Sequence, residues 1–343
     1  MTGTVLDEAL DRLRASGPER VGWLSNHAPM AVEALARAGY GHRVHRWIDG
    51  YADRLEERPR GIARIAPDEW RDPLGDPVRT GDWLDLFDRE IRAMPWREVL
   101  VRWWPRLLPG IAAGATHGVI RVGHAVRALR DAETPARVTE LGQGLAYWAA
   151  RWQPLAPVGA GPYRSTDPRA ALDAVPRVPD QRYGIRHRLA QLADLPRWPE
   201  VAGAVPDVGV GPAAARLAAV VRAAAERHGS HGYGNPVMMV HAVTATNAVA
   251  RVLPVLPEGM WPAGLAAAWA ATAAVTAAYA PVEPRPLPPP RPDLTVAELT
   301  DRAVAIGDPH AIKYADAVAD VLAAAPDQTL LAAAVRSVGE LAD

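Results

Sequence analysis

Apolar residues recur every three or four positions along most of this 343-residue chain, which is the repeat of an α-helix buried on one face. The stretch 116–130 shows this repeat clearly, with apolar positions at Val119, Ile120, Val122, Val126 and Leu129. Capping residues followed by proline, such as Thr134 and Pro135, mark where helices start. We find no sustained run of the polar and apolar alternation that is typical of strands. The pattern predicts an all-α fold, a bundle-like array of many helices without a substantial sheet.

The same signals place the individual helices and the connections between them. Helices are predicted at 7–15, 26–39, 41–55, 81–93, 95–108, 116–130, 134–152, 181–192, 213–227, 236–252, 261–280, 295–306, 309–324 and 328–341. The long connections are rich in proline and lie at 56–78, 153–180 and 282–292, and a glycine-rich turn is expected at 228–235. We expect one large domain over 1–343, with a subdivision at the 153–180 loop as the alternative.

The overall composition narrows the classes of function. The net charge of −1 argues against non-specific binding to nucleic acid, and the absence of cysteine excludes disulfides, thiolate nucleophiles and iron–sulfur clusters. The N-terminus lacks the apolar core of a signal peptide. The apolar run 262–280 consists mostly of alanine, threonine and tryptophan, so we expect a buried core helix and not a membrane span. These features predict a cytoplasmic protein that has neither nucleic acid nor a membrane as partner, and they leave its oligomeric state open.

Lys313 is the only lysine in the chain, which otherwise uses arginine for positive charge. An arginine stays protonated, whereas a buried lysine can lose its proton and act as a base, a nucleophile or an amine that captures carbon dioxide. Asp308 is a good N-cap and Pro309 a good first helical residue, so a helix is expected to start here. His310 and Lys313 then share one helical face. A solvated side chain is the alternative for a lone lysine.

Half of the ten histidines fall on apolar helical faces: His27, His117, His124, His241 and His310. The others have polar or glycine-rich surroundings and are expected at the surface or just outside the site: His42, His45, His187, His228 and His231. Buried imidazoles need partners, so convergence of the first five would make either a hydrogen-bonded network or a metal site. Imidazole suits iron, zinc and copper, and a carbon dioxide adduct of lysine would add an anionic ligand. His117 and His124, two turns apart, are alternatively two core histidines.

Six stretches of the chain combine histidine, aromatic or proline residues with apolar neighbours: 26–35 (NHAPMAVEAL), 105–110 (PRLLPG), 116–129, 146–151 (AYWAAR), 240–245 (VHAVTA) and 308–317 (DPHAIKYADA). Taken together, these stretches resemble the questin oxidase-like family. They occur in order between residue 23 and about residue 320, so the resemblance covers nearly the whole chain. Each stretch alone is weakly specific, whereas the set is specific. Members of that family oxidatively open a ring of an aromatic polyketide such as an anthraquinone, or insert oxygen in a Baeyer–Villiger-like step.

The resemblance implies an α-helical oxygenase with one non-haem Fe(II) held by histidines and a carboxylated lysine. Carried onto this sequence, the implied ligands are His27, His117, His241, His310 and Lys313. His124 is either a further ligand or a neighbour of the ligands. NADPH is implied as an external reductant, with a small aromatic molecule and dioxygen as substrates. The nearest string to a dinucleotide fingerprint, 209–214, contains a proline, so no built-in cofactor-binding domain is predicted.

Under this interpretation, the catalytic residues are Lys313, His124 and Arg121. Arg121 would pair with a phenolate or carboxylate of the substrate, and a structural salt bridge is its alternative role. The walls of the pocket have aromatic and thioether candidates, for which core packing is the alternative: Trp103, Trp104, Trp148, Met238 and Met239. Two other functions stay open, because a carbamylated lysine with histidines also serves two-metal hydrolases, and a noncatalytic helical protein could bind an aromatic ligand.

Overall fold

The computed structural model describes residues 2–156, 167–203 and 210–342. The chain forms two compact units. Unit 1 comprises Met1–Pro154 and Pro254–Pro257, and unit 2 comprises Leu155–Leu253 and Glu258–Asp343. The chain first passes from unit 1 to unit 2 near the start of the proline-rich segment 153–180.

Two sequence predictions fall partly beyond the part of the chain that the structure describes. Residues 157–166 of the predicted 153–180 loop lie outside the described residues. Residue 209 of the 209–214 string lies outside them as well. The prediction of no dinucleotide-binding domain therefore continues to rest on the proline in that string.

Unit 1 consists of helices and one small sheet. The helices are α1 (Thr2–Leu13), α2 (Ala28–Arg37), α3 (Gly41–Ala52), α4 (Thr80–Ala93), α5 (Trp96–Leu107), α6 (His117–Asp131) and α7 (Pro135–Ala150). The strands are β1 (Ser16–Arg20), β2 (Leu24–Ser25) and β3 (Leu55–Glu57), which pair antiparallel in the order β2-β1-β3. Helix α7 packs on both α4 and α6, and α2 packs on α6, so α6 lies in the interior of the unit.

Unit 2 consists of helices in its described part. They are α8 (Pro168–Asp173), α9 (Ile185–Ala190), α10 (Trp198–Ala202), α11 (Val210–His231), α12 (Pro236–Val252), α13 (Trp261–Tyr279), α14 (Val296–Ile306), α15 (Pro309–Ala324) and α16 (Gln328–Gly339). Helix α12 packs on α11, α13 and α15. Buried side chains of α11, α12, α14, α15 and α16 form one hydrophobic core cluster of this unit.

The all-α prediction is confirmed, because helices dominate the described residues and the sheet has three strands of at most five residues. The small sheet was missed because β1 contains Gly17 and Pro18 and is too short for an alternating pattern. The short helices α8 and α10 were missed as well, because each covers less than two turns. Such short elements carry too few residues for their periodicity to be recognised.

The boundaries of α12 and α15 coincide with the prediction, and local capping explains why. Asn235 precedes α12, and its side-chain oxygen accepts a hydrogen bond from the Met238 N–H at 3.0 Å. Asp308 precedes α15, and its Oδ1 accepts from the His310 N–H at 2.7 Å. Proline occupies the first position of both helices, where it costs no intrahelical hydrogen bond.

The predicted glycine-rich turn at 228–235 is wrong in its first half, because α11 continues to His231. Gly229 does not end the helix. A Cβ at Gly229 would lie 2.9 Å from the Cβ of Ala333 on α16, so this glycine permits close packing of the two helices. His228 and His231 lie on this helix and are buried, so a surface placement is wrong for both. Their alternative placement, just outside the site, stays a prediction.

Most of the predicted pocket-wall residues take part in core packing. Trp103 meets Trp83 edge-on with ring centroids 5.8 Å apart, and it packs against Phe87 at 4.8 Å. Trp104 and Trp148 meet edge-on at 5.5 Å. All three tryptophans are buried, as is Met239, whereas Met238 is half-buried. The core-packing alternative thus describes the three tryptophans.

One stretch among the described residues, Pro236–Val255, is long and apolar enough to cross a membrane by length and composition. Of its most apolar window, 78% is buried inside the protein, as in the core helix of a globular unit. The apolar run 262–280, expected as a buried helix, is α13 and is buried along most of its length.

Candidate functional site

Three of the predicted ligands meet in unit 2, on α12 and α15. His241 lies on α12 and His310 on α15, with ring centroids 5.6 Å apart in an edge-on arrangement. Lys313 follows His310 by one helical turn and lies on the same face of α15. All three side chains are buried. We call this group, His241, His310 and Lys313, the lysine site.

The amine of Lys313 is buried. Only 1% of the residue is exposed, and among the described residues its Nζ has no hydrogen-bond partner. Burial lowers the pKa of the Lys313 amine to about 7, although the charge of Asp308 raises it. A buried ammonium without a partner is costly, and lysine responds by giving up its proton. The amine therefore exists to a large extent in its neutral, nucleophilic form near neutral pH.

His241 presents a defined ring nitrogen. Its Nδ1 lies 3.0 Å from the Val237 carbonyl oxygen and 3.2 Å from that of Met238. A carbonyl only accepts hydrogen bonds, so Nδ1 carries the proton and Nε2 carries the lone pair. Burial, followed by the charges of His310 and Lys313, holds the pKa of His241 well below its ordinary value. His241 is thus a neutral imidazole, which is the form that binds a metal.

His310 has the same tautomer for a different reason. Its Nδ1 donates to Oδ1 of Asp308 at 3.1 Å, and that oxygen also accepts the backbone N–H of His310. A carboxylate that accepts from the second nitrogen of an imidazole is the usual partner of a metal-binding histidine, because it orients the ring and makes it more basic. Asp308 therefore both caps α15 and directs Nε2 of His310 away from itself.

A second histidine pair lies in unit 1. His27 stands at the N-cap position of α2, and His117 is the first residue of α6. Their rings stack with centroids 4.5 Å apart and an interplanar angle of 29°, and one nitrogen of each ring lies within 4.8 Å of the other. The predicted cap residue Asn26 lies one position earlier, where its Oδ1 accepts from the Ala28 N–H at 2.9 Å.

The backbone before His117 is strained. Gly114, Ala115 and Thr116 have φ angles of 53°, 57° and 70°, so three successive residues lie in the left-handed region. For residues other than glycine this conformation costs about 1–2 kcal/mol each. Such strain persists where the surrounding structure enforces it, and it is common at functional sites. Here it sets the direction in which α6 begins.

His124, the ambiguous ligand of the prediction, belongs to a buried ionic cluster in unit 1. Its Nδ1 lies 2.7 Å from Oε2 of Glu33, and Arg127 also donates to both oxygens of Glu33. Although burial raises the pKa of Glu33, the charges and hydrogen bonds of Arg127 and His124 lower it to about 2. The adjacent cavity of about 10 Å³ has room for about one water molecule.

Arg121, the predicted substrate-binding residue, forms a two-pronged ion pair with Glu140. Its Nε and one terminal nitrogen donate to the two carboxylate oxygens at 2.6 and 2.8 Å, and the same terminal nitrogen donates to Gln143. Both charges are buried. This geometry is that of a structural salt bridge. The catalytic roles expected for His124 and Arg121 stay predictions.

A cleft of about 830 Å³ with both charged and apolar lining residues also lies in unit 1, beside the start of α7. Its lining includes Arg14, Arg58, Asp88 and Glu133. None of the predicted ligands or catalytic residues lines it. The cleft therefore adds nothing to the sites predicted from the sequence.

The sequence did not reveal the groups that orient the histidines. Asp308 was predicted only as a helix cap. Its position two residues before His310 is the local signal for its other contact, the hydrogen bond with Nδ1 of His310. Tyr147 and Ser25, which reach the loop before His117, are far from it in the chain and carry no local signal. Positions this distant become visible only once the chain is folded.

Comparison with known proteins yields no assignment: no protein-family model matches the chain, and no curated protein matches it significantly.

Proposed function

We propose that this chain is a metal-dependent oxygenase of the questin oxidase-like kind, which uses Fe(II) and a carboxylated Lys313. The observation that carries the proposal is the buried Nζ of Lys313, which has no hydrogen-bond partner among the described residues and lies one turn from His310. The alternative, a solvated lysine, requires an exposed side chain that is fully protonated near neutral pH. Lys313 is buried, and burial lowers the pKa of its amine to about 7.

The chemistry of Lys313 follows from its environment. The neutral Nζ attacks the carbon of carbon dioxide, an N–C bond forms, and one N–H proton leaves to solvent, which produces a carbamate with a single negative charge. The buried position supports the reaction because it favours the neutral amine. Arginine cannot react in this way, because it keeps its proton. The product is an anionic oxygen ligand in a site whose other donors are neutral.

The histidines of the lysine site complement such an anion. His241 and His310 are held with their Nδ1 protons engaged, so Nε2 is the donor atom of each ring. Two imidazole nitrogens and one carboxylate-type oxygen form a donor set that suits non-haem Fe(II). When bound there, Fe(II) would supply Lewis acidity and one-electron chemistry toward dioxygen and an aromatic substrate.

The remainder of the ligand set comes from the resemblance. That set includes His27 and His117 of unit 1 together with the lysine site of unit 2, and this combination stays a prediction from the sequence. The substrate class, a small aromatic polyketide such as an anthraquinone, and NADPH as an external reductant have the same basis. A cytoplasmic location is likewise a prediction from the sequence.

Elemental analysis of protein purified without added metal tests the metal. We expect about one iron per chain for a mononuclear site, whereas about two zinc per chain would favour the hydrolase alternative. Labelling with ¹³C-bicarbonate tests the carbamate, because wild type should show a carbamate resonance that Lys313→Met lacks. Lys313→Met retains a flexible apolar stem, so it serves as the matched control for folding. Protein that contains neither metal nor carbamate would contradict the proposal.

A further inference from the structure

A chain of hydrogen bonds in unit 1 runs from the core to His117. The hydroxyls of Tyr147 and Ser25 lie 2.6 Å apart, and Oγ of Ser25 lies 3.4 Å from the Gly114 carbonyl oxygen. Nδ1 of His117 lies 2.6 Å from the same carbonyl oxygen. The carbonyl can only accept, so Ser25 donates to it, Tyr147 donates to Ser25, and His117 carries its proton on Nδ1. We call these four residues the tyrosine relay.

Tyr147 also shapes the backbone that it supports. A Cβ on Gly114 would lie 2.6 Å from the Tyr147 hydroxyl oxygen, so the phenol packs directly against this glycine. Gly114 opens the left-handed turn that continues through Ala115 and Thr116 into α6. Burial, with a contribution from Glu19, raises the pKa of Tyr147 to about 12, and the phenol therefore remains a hydrogen-bond donor throughout the physiological range.

We propose that Tyr147 and Ser25 are positioning residues that hold the Gly114 carbonyl so that His117 is kept as the Nδ1–H tautomer, with Nε2 as its donor atom. The tautomer claim stands on the relay alone. The further claim, that this tautomer serves metal binding, rests on the proposed function. His228 offers a natural contrast, because its Nε2 lies 3.0 Å from the Pro236 carbonyl oxygen and it must therefore be the opposite tautomer.

Nitrogen-15 spectroscopy of metal-free, full-length protein with labelled histidine tests the tautomer. In wild type we expect the Nδ1–H pattern for His117, assigned by its loss in His117→Gln, and the Nε2–H pattern for His228. Tyr147→Phe removes the hydroxyl and keeps the ring, and Ser25→Ala breaks the next link. Both variants should convert the His117 signal into a tautomer mixture while the His228 signal stays unchanged. A His117 signal that keeps the Nδ1–H pattern in both variants overturns the proposal.

Titration with Co²⁺, followed by its absorption spectrum, tests the metal-binding claim. Loss of a partner that orients a metal-binding histidine typically weakens metal affinity about 10–100-fold, and we expect Tyr147→Phe to fall in that range. Thr272→Val is the matched control, because it removes a buried hydroxyl that is paired with Thr246 in unit 2. Its Co²⁺ affinity should match that of wild type.

The outcomes separate the relay from the proposed function. Wild-type Co²⁺ affinity in Tyr147→Phe, with the wild type itself binding Co²⁺ tightly, overturns the claim that the relay serves a metal. If wild type binds no Co²⁺ but both variants lose the Nδ1–H pattern, the positioning role stands and the proposed metal function fails. Far-ultraviolet circular dichroism of each variant verifies that the helices are intact, so that a folding defect is recognised as such.

Discussion

One oxygen of Asp308 accepts two hydrogen bonds from His310, from its backbone N–H at 2.7 Å and from its Nδ1 at 3.1 Å. The first bond starts α15, and the second sets the tautomer and direction of the imidazole. A single carboxylate thus couples the beginning of the helix to the orientation of a proposed ligand. Lys313 lies one turn further along the same helix, so its position relative to His310 follows from the helical geometry.

Replacement of Asp308 should separate these two roles. Asp308→Asn retains a cap oxygen but loses the negative charge, so metal affinity should fall about tenfold with little loss of stability. Asp308→Ala loses both, so affinity should fall up to about 100-fold and stability by about 1 kcal/mol. Metal titration and chemical denaturation measure the two effects.

Thr295→Ala is the matched control for the cap. Thr295 caps α14 by accepting a hydrogen bond from the Glu298 N–H at 3.1 Å, and within the described part of the chain no hydrogen bond joins its side chain to a histidine. Its removal should cost a similar stability without a change in metal affinity. If Thr295→Ala weakened metal binding as much as Asp308→Ala does, the effect would be one of general helix stability and the orienting role of Asp308 would be refuted.

Replacement of Ala115 should reveal the strain before His117. Ala115 has a φ of 57°, which glycine adopts without penalty, so Ala115→Gly should raise the free energy of unfolding by about 0.5–1 kcal/mol after the entropy of glycine is subtracted. Ala113→Gly, two residues earlier at a buried position outside the left-handed region, should lower it. Urea denaturation compares the two, and equal destabilisation by both changes would show that the turn stores no strain.

Much of the helical framework could be predicted because its signals are local. Asn235 before Pro236 and Asp308 before Pro309 are adjacent in sequence and act within one turn, so the starts of α12 and α15 were placed correctly. Gly229 was wrongly predicted to lie in a turn. It permits close packing against Ala333, which is more than 100 positions away, and a local sequence pattern does not reveal such a contact. At this position tertiary packing outweighs the low helix propensity of glycine.

The candidate site likewise has features that a local sequence signal predicts and features that depend on tertiary contacts. Lys313 could be singled out because a lone lysine among arginines is visible in composition, and its spacing from His310 follows from the helix. The bond between Tyr147 and Ser25 joins residues 122 positions apart and arises only when α7 packs near the small sheet. Tertiary contacts of this kind decide tautomers and burial, and so they determine which histidines can act as ligands.

His228 should make the protein sensitive to acid. The side chain is fully buried, and burial, with a smaller effect of Arg285, lowers its pKa from 6.5 to about 4 despite the bond to Pro236. As the pH falls from 6.5 to 4, the unfolded chain binds a proton at this residue and the folded chain does not, so stability is lost in that window. The loss is on the order of 3 kcal/mol at most.

His228→Gln tests this assignment, because glutamine can donate to the Pro236 carbonyl but does not titrate. We expect the variant to lose less stability than wild type between pH 6.5 and 4, as measured by denaturation at each pH. Other histidines contribute equally to both proteins and cancel in the difference. Parallel pH profiles for wild type and variant would show that His228 is not buried as a neutral ring.

Lys313 has the most specific expected behaviour, because only a primary amine can form a carbamate. Lys313→Arg keeps a positive charge that repels a metal and cannot react with carbon dioxide, so it should abolish metal binding and activity, although such a change is mild on a surface. Lys313→Ala should lose both as well but regain part of them with formate or acetate, which can occupy the vacated space as an anionic ligand. Removal of carbon dioxide and bicarbonate from the metal-free wild type, before iron is added back, should lower its iron content. Wild-type iron content and turnover in Lys313→Arg would show that Lys313 is not a ligand, and the central claim for this site would then be wrong.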